Sequence, residues 1–162
     1  MSQVILEIPN IKGECQVTNY VNQIMCESLS HDMEIEIEPS SNARRTVHVP
    51  KVNNISLERK WDNASPGLIK AILQASVDKQ DWKVHCLRGL GEEGSQQKEF
   101  LTMILKKPIL AKHSLSVNEG DTTESIEINA VEIIWEYTAY DDQQTPLGTK
   151  AIGFNTLSGK VF

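Results

Sequence analysis

Residues 89–94 read "GLGEEG", which fits the glycine spacing of a dinucleotide-binding fingerprint. In that fingerprint the glycines form a turn between a strand and a helix, whose N–H groups hold a pyrophosphate. Here "WKVHCLR" upstream predicts a strand, but "SQQKEFLTMILKK" downstream also alternates as a strand buried on both faces would. Glu92 and Glu93 would also repel a phosphate. We therefore predict a hairpin loop at this position, with no nucleotide and no other cofactor.

His85 and Cys86 are adjacent, and a thiol beside an imidazole is a common nucleophile–base pair. Neighbouring residues of a strand point to opposite faces, so this pair could not share a proton or a metal ion. Together with Cys15 and Cys26 the chain has three cysteines and no CxxC pair, which predicts buried thiols without a disulfide framework or a zinc site. His113 is predicted to be a hydrogen-bonded residue at the edge of the core. No catalytic residue or metal site is indicated, and we expect no enzyme.

The composition limits the class of protein. The chain has 162 residues, a formal net charge of −6 and 40% hydrophobic residues, which predicts one globular domain over 1–162. Its scattered basic residues argue against a nucleic-acid partner. No apolar run approaches the roughly 20 residues that span a bilayer, so no membrane insertion is expected. The start, "MSQVILEIPN", lacks the features of a signal peptide, and we expect synthesis in the cytoplasm without one.

Alternation typical of strands dominates the chain. "MEIEIE" shows it most clearly, because its apolar residues are expected to point inward and its glutamates outward. In "SIEINAVEIIWEY" the apolar phase changes at Ala130, which indicates a bulge or a strand that crosses between sheets. Other strands are predicted at "VILEI", "TVHV" and "NISLERKW", the last with Ile55, Leu57 and Trp61 in one register.

A single segment, "SPGLIKAILQ", predicts a helix. Ser65 suits the N-cap, and Pro66 suits the first helical position because its missing N–H costs nothing there. An apolar stripe at helical spacing is predicted to face the core: Leu68, Ile69, Ile72 and Leu73. These patterns predict a mainly β domain, a barrel or sandwich of roughly eight to ten strands with one flanking helix.

Four segments resemble the hemolysin-coregulated protein (Hcp) family of type VI secretion systems. "NISLERKWDNASPGLIKAIL" is similar to the family's central motif, with Arg59 at a Lys position and Asp62, Ser65 and Pro66 in register. "LEIPNIKGECQ" resembles the opening strand and its Lys-Gly-Glu-Ser turn, with Cys15 in place of the Ser. "ESIEINAVEIIWEYTAYD" and "KAIGFNTLSGKVF" are similar to the late strand and the tail.

The resemblance implies a tight β-barrel of two packed antiparallel sheets with a helix at its side. It also implies a structural subunit of the secretion tube, six copies of which form a ring. The rings would stack inside a contractile sheath on a baseplate, with a VgrG spike at the tip. Sheath contraction would expel the tube into the extracellular space or a target cell, with effector proteins in its lumen.

Site residues follow from the resemblance as well. The segment "EPSSNARRTVHVPKV" lies where the family has an extended loop, and we predict ring-stacking contacts at Arg44, Arg45 and His48; a solvated turn is the alternative. Asp62, Ser65 and Pro66 are predicted to be architectural, with Asp62 supporting the helix N-terminus. Two other functions remain open: a tail-tube protein of a phage or another contractile injection machine, and an independent ligand-binding β-barrel or enzyme.

Overall fold

A computed structural model describes residues 2–39, 44–90 and 96–162 of the chain. Seven of its strands are β1 (Ser2–Glu7), β2 (Ile24–Cys26), β9 (Trp82–Leu90), β10 (Gln96–Lys106), β13 (Glu132–Tyr140), β14 (Pro146–Asn155) and β15 (Lys160–Val161). These strands form the larger sheet in the spatial order β15-β14-β13-β10-β9-β1-β2, and every pairing in it is antiparallel.

A second antiparallel sheet has four strands: β3 (Ser28–Ser30), β8 (Ile55–Lys60), β11 (Ile109–Asn118) and β12 (Asp121–Asn129). Its spatial order is β11-β12-β8-β3. Two short ribbons complete the described strands. One pairs β4 (Met33–Glu34) with β7 (Lys51–Val52), and the other pairs β5 (Ile37–Pro39) with β6 (Arg45–Val47). The prediction of a mainly β chain with one helix is therefore confirmed.

Closure of the two sheets into a barrel is not confirmed. A closed barrel requires the outer strands to pair with one another. Among the described strands, β2 and β15 end the larger sheet and β3 and β11 end the smaller one, without pairing across. The two sheets do share a continuous core of apolar side chains from both.

The core follows the predicted alternation along most strands. Trp82, Val84 and Cys86 of β9 all enter the core between the sheets, whereas His85 points to the other face. The outer face of the larger sheet is also covered at one end, where Ile5 and Leu87 form a smaller core with Cys15. Residues 12–23 cross this outer face as an irregular segment. Side chains on both faces of β1 and β9 are therefore buried, which explains the continuous apolar run Val4, Ile5 and Leu6 in β1.

The change of phase at Ala130 marks a passage between sheets. β12 belongs to the smaller sheet and β13 to the larger one, and they are joined through Ala130, which is buried in the core. Of the two predicted explanations, the crossing strand is confirmed. The inward-facing residues of β12 and β13 therefore follow different alternation registers, because the two strands face the same core from opposite sheets.

The inward orientation predicted for "MEIEIE" is wrong. Met33, Ile35 and Ile37 are all exposed, because Met33 and Ile37 belong to the short ribbons, Ile35 lies between them, and none of the three enters the core between the two sheets. The register predicted for Trp61 is also wrong. β8 ends at Lys60, Trp61 is exposed, and the last inward position of the strand belongs to Arg59.

The helix α1 spans Ser65–Gln74 and contacts β11. It ends at Ala75, whose left-handed backbone (φ 50°) lets its N–H donate to the Ile72 carbonyl. Gly67 sits against Ile11, where a Cβ atom would lie 3.2 Å from a side-chain carbon. No helix in the described ranges is long and apolar enough to cross a membrane.

The glycine-rich segment lies between two paired strands. Leu90 pairs with Gln96, so β9 and β10 form the two arms of a hairpin, and the segment after the glycines is a strand as predicted. Residues 91–95 themselves lie outside the described residues. The glycines are thus flanked by two paired strands, whereas a dinucleotide site needs a strand before the glycines and a helix after them.

Candidate functional site

The central motif builds a buried ion network around Arg59. This guanidinium is 1% exposed and lies between two carboxylates, 2.5 Å from Glu124 Oε1 and 2.5 Å from Asp62 Oδ1. It also donates to the Ser65 hydroxyl (3.1 Å) and to the Met25 carbonyl (3.3 Å). One side chain thus joins β8, β12, β2 and the start of α1. The spacing Arg-x-x-Asp-x-x-Ser is explained by this single set of contacts.

The predicted N-cap is wrong by one residue. Ala64 is the N-cap, Ser65 is the first helical residue, and Pro66 lies in the first turn. Arg59 and the Asp62 backbone N–H both donate to the Ser65 hydroxyl, so this oxygen bonds to the motif and does not cap the helix. Asp62 takes over the supporting role at the N-terminus, since its carboxylate accepts from the Ala64 N–H at 2.8 Å.

Two members of the network were not predicted from the sequence. Glu124 is fully buried, and its second oxygen lies 2.9 Å from Nε2 of His113. This contact confirms His113 as a hydrogen-bonded residue at the core edge. Glu124 lies 65 residues from Arg59, and only the pairing of β8 with β12, which places the two residues opposite each other, brings them together.

The network fixes a charge inside the protein. Burial acts to lower the pKa of Arg59, but hydrogen bonds and charge from Asp62 and Glu124 outweigh it, so the pKa is raised and the side chain stays charged. Arg59 is paired with Asp62, Glu124 and Ser65 inside the network, and these contacts hold the two sheets and the helix in register. These contacts are consistent with the architectural role predicted for Arg59, Asp62 and Ser65, whereas that of Pro66 stays a prediction.

A second polar cluster lies on the outer face of the larger sheet around Glu99. His85 Nδ1 lies 2.6 Å from Glu99 Oε1, the Tyr20 hydroxyl donates to Glu99 Oε2 at 2.7 Å, and Thr102 donates to the same carboxylate. The second nitrogen of His85 lies 3.4 Å from Glu7. Burial acts to raise the pKa of Glu99, but the hydrogen bonds from His85, Thr102 and Tyr20 lower it to about 2.

This depressed pKa predicts a pH dependence of stability. A carboxylate whose folded pKa lies below its unfolded value stabilises the protein above the unfolded pKa, and the benefit is lost as the pH falls towards 2. We expect Glu99→Gln to lower the free energy of unfolding at pH 7 by on the order of 2 kcal/mol. The difference from the unsubstituted protein should shrink steadily between pH 4.5 and pH 2. Urea unfolding across that pH range measures it.

The exposed Glu58 offers a matched control. Glu58→Gln removes the same charge without breaking a buried contact, so its stability difference should stay small at every pH. An equal effect of the two substitutions would show that net charge, and not the Glu99 cluster, sets the pH dependence.

The cysteines and His85 do not form a reactive pair. Cys86 points into the core while His85 points to the outer face, as their alternation predicted. Burial raises the pKa of the Cys26 thiol to about 12 and that of Cys86 to about 11, so both stay protonated near neutral pH. All three cysteines are buried and free.

The helix stripe was predicted partly wrongly. Leu68 is fully buried in the core, and Ile72 packs partly against it. Ile69 is half-buried. Leu73 is 80% exposed, because it lies about 140° around the helix from Leu68, whereas the small residue Ala71 occupies the core side.

The ribbon of β5 and β6 carries an unpacked apolar face. Ile37 and Val47 are direct cross-strand partners and are 50% and 60% exposed, and Val49 continues the same side of the chain. The residues predicted for ring stacking lie here too. Arg44 precedes β6, Arg45 begins it and His48 follows it, all exposed. Their role in stacking stays a prediction.

An apolar groove of about 670 Å³ lies beside the base of this ribbon. Trp135, Ile152, Phe154 and Val161 of the larger sheet form one side of it. Residues of the β4–β7 ribbon and its flanks form the other side, and they are Met33, Glu34, Ile35, Pro50 and Val52. Ile152, Val161 and Met33 are more than half exposed. Apolar surface concentrated in this way is typical of sites that contact another molecule.

The structure is a two-sheet β domain with two exposed apolar surfaces, the face of the β5–β6 ribbon and the groove. A model of the family described as "Type VI secretion system effector, Hcp" matches residues 5–137. The chain therefore belongs to the Hcp family of type VI secretion effector and tube proteins, which that system secretes. A search of curated protein sequences finds no match.

Solved structures share the fold at low sequence identity. A structure described as a type six secretion system protein is 14% identical, with a TM-score of 0.87 and full coverage of both chains. Hcp1 from Salmonella typhimurium is 20% identical, with a TM-score of 0.76 and full coverage of both chains. A type VI secretion system effector from Yersinia pestis is 18% identical over 94% of this chain and 99% of its own, with a TM-score of 0.71.

Proposed function

We propose that the chain is the structural subunit of a type VI secretion tube, in which residues 1–162 act as one domain. Six copies form a ring, and rings stack into a tube inside the contractile sheath and on the baseplate, with a VgrG spike at the tip. Sheath contraction expels the tube from the cytoplasm where it is assembled, and effector proteins travel in the lumen. The observation that carries this proposal is the pair of exposed apolar surfaces on one chain, the ribbon face and the groove.

The ribbon face and the groove are different surfaces, which favours a heterologous contact. Ile37 and Val47 contribute little to the core of their own chain, yet they are apolar and directly opposed. Burying them against an apolar groove of another copy would gain roughly 25 cal/mol for each Å² removed from water. When the ribbon face of one copy fills the groove of a second, the ribbon face of the second copy stays free for a third, so the association closes into rings or continues as a stack.

Unpaired strand edges supply a second route for association. β11 ends the smaller sheet, with its exposed residues Leu115 and Val117 near its end. In the larger sheet, β15 pairs only with Phe154 and Asn155 of β14, so the first part of β14 is an edge among the described strands. Such edges accept a strand of a neighbouring copy through backbone hydrogen bonds. Sheet extension therefore supports the proposed closure of the ring.

A charge on the ribbon face should abolish assembly and leave the fold intact. Val47→Asp places a carboxylate at the centre of the proposed contact, where its desolvation would cost several kcal/mol. We expect the variant to lose its rings in electron microscopy and to have the mass of a monomer in light scattering. Its circular dichroism should stay unchanged, because Val47 is exposed in the single chain.

Thr46→Asp is the matched control for this experiment. Thr46 pairs with Glu38 and lies on the opposite face of the same strand, so the added charge is the same but the apolar face is intact. Rings should persist in this variant. If Val47→Asp forms rings as readily as Thr46→Asp does, the ribbon face is not the contact that we propose.

A further inference from the structure

The second face of the β5–β6 ribbon carries three potential metal ligands. Ile37 pairs with Val47, so the alternation of the two strands places Glu36, Glu38 and His48 together on the other side. The His48 backbone N–H donates to the Glu36 carbonyl at 3.0 Å, which sets these two residues opposite each other. One ligand atom from each of the three side chains lies within 4.8 Å of the other two.

The spacing of these atoms suits a cation better than a direct ion pair. His48 Nε2 and Glu38 Oε1 are 3.4 Å apart, whereas a charge-assisted hydrogen bond is about 2.7–2.9 Å long. Two ligands of a tetrahedral Zn²⁺ ion with bonds of about 2.05 Å are separated by about 3.4 Å. All three side chains are exposed, so a modest side-chain rotation could bring Glu36 to the same distance.

The surrounding charges agree with a cation. Two carboxylates and one imidazole meet at this site, and Thr46, the partner of Glu38, shares the same face of the ribbon. Arg45 is paired with Pro39 and therefore belongs to the opposite face. Imidazole with carboxylate oxygens is a donor set that binds Zn²⁺ and neighbouring transition metals, and it does not favour Mg²⁺.

We propose that Glu36, Glu38 and His48 bind one Zn²⁺-type divalent cation per chain. Each residue supplies one ligand, and a fourth coordination position stays open to water or to a donor of another copy. The ion links the two strands of the ribbon and so stiffens the element that presents the apolar face of Ile37 and Val47. Zinc would thereby influence assembly through the shape of the ribbon.

Calorimetric titration of ZnCl₂ into the metal-free protein tests this site. We expect one ion per chain, bound at least tenfold more weakly after His48→Gln or Glu38→Gln, and not displaced by excess Mg²⁺. Glu34→Gln is the matched control, because Glu34 lies in the same acidic segment but pairs with Lys51 outside the cluster. The affinity of the Glu34→Gln variant for zinc should equal that of the unsubstituted chain.

Two results would overturn the proposal. Zinc binding that survives His48→Gln would place the ion elsewhere, and an equal loss in all three variants would reduce it to general attraction by an acidic surface. Repeating the titration with Val47→Asp separates this site from assembly. That variant should bind zinc normally although it forms no rings, since Val47 lies on the other face of the ribbon.

Discussion

A Leu68→Asp variant is expected to be unfolded, whereas Leu73→Asp should fold and stay soluble. The two leucines lie five residues apart on α1, and their hydrophobicity is identical. Leu68 is fully buried between the helix and both sheets, while Leu73 is 80% exposed. Placing a carboxylate at the buried site costs several kcal/mol, a large part of the total stability of a domain of this size.

Thermal unfolding followed by circular dichroism distinguishes the two variants. Leu73→Asp should melt within a few degrees of the unsubstituted protein, because an exposed substitution usually changes stability by less than about 0.5 kcal/mol. Leu68→Asp should show no cooperative transition. A folded Leu68→Asp protein would mean that α1 does not pack with the side that the structure shows.

Replacing Arg59 by Met should destabilise the protein by about 3–5 kcal/mol, because it removes one partner of a buried ion network. Glu124 would remain buried with a single partner, His113, and Asp62 would lose its cation. Arg59→Lys should cost less, since it keeps the charge but cannot reach as many acceptors at once. Urea unfolding at neutral pH measures both differences.

Two further variants test the origin of this loss. Lys60→Met removes the neighbouring cation, whose ion pair with Asp121 is exposed, and should change stability little. Combining Arg59→Met with Glu124→Leu should recover part of the stability, because the orphaned carboxylate is gone. If the double variant is as unstable as the sum of the two single ones, the pair does not act as a unit.

Alternation of apolar residues predicted the strands well where a strand packs on a core of its own chain. The faces of β9 and the change of phase at Ala130 were both evident from the sequence, although a bulge at Ala130 remained an alternative to the crossing that the structure shows. The same rule failed for "MEIEIE". Alternation of apolar residues predicts a strand with an apolar face, but it does not identify the element that packs against that face. The exposure of Ile37 in the single chain is consistent with the contact to another copy that we propose.

Pairing between distant strands was beyond the reach of sequence reasoning. Arg59, Asp62 and Ser65 were identified through the resemblance to the family motif, but Glu124 and His113 join them only through the register of β8, β12 and β11. Helical spacing likewise left the centre of the apolar stripe undetermined. It included Leu73 and missed Ala71, because a small residue at the contact side carries a weak hydrophobic signal.

The ribbon face and the groove also give any assembly that uses them a direction. Where this contact continues as an open stack and does not close into a ring, every copy contributes one projecting surface and one receiving surface, so the stack ends with unfilled grooves at one terminus and uncovered ribbons at the other. The two termini therefore differ chemically, and a cap that fits one of them cannot fit the other by the same contact. Growth from a fixed base and termination at a distinct tip need no additional marker along the polymer, since polarity is already present in each subunit.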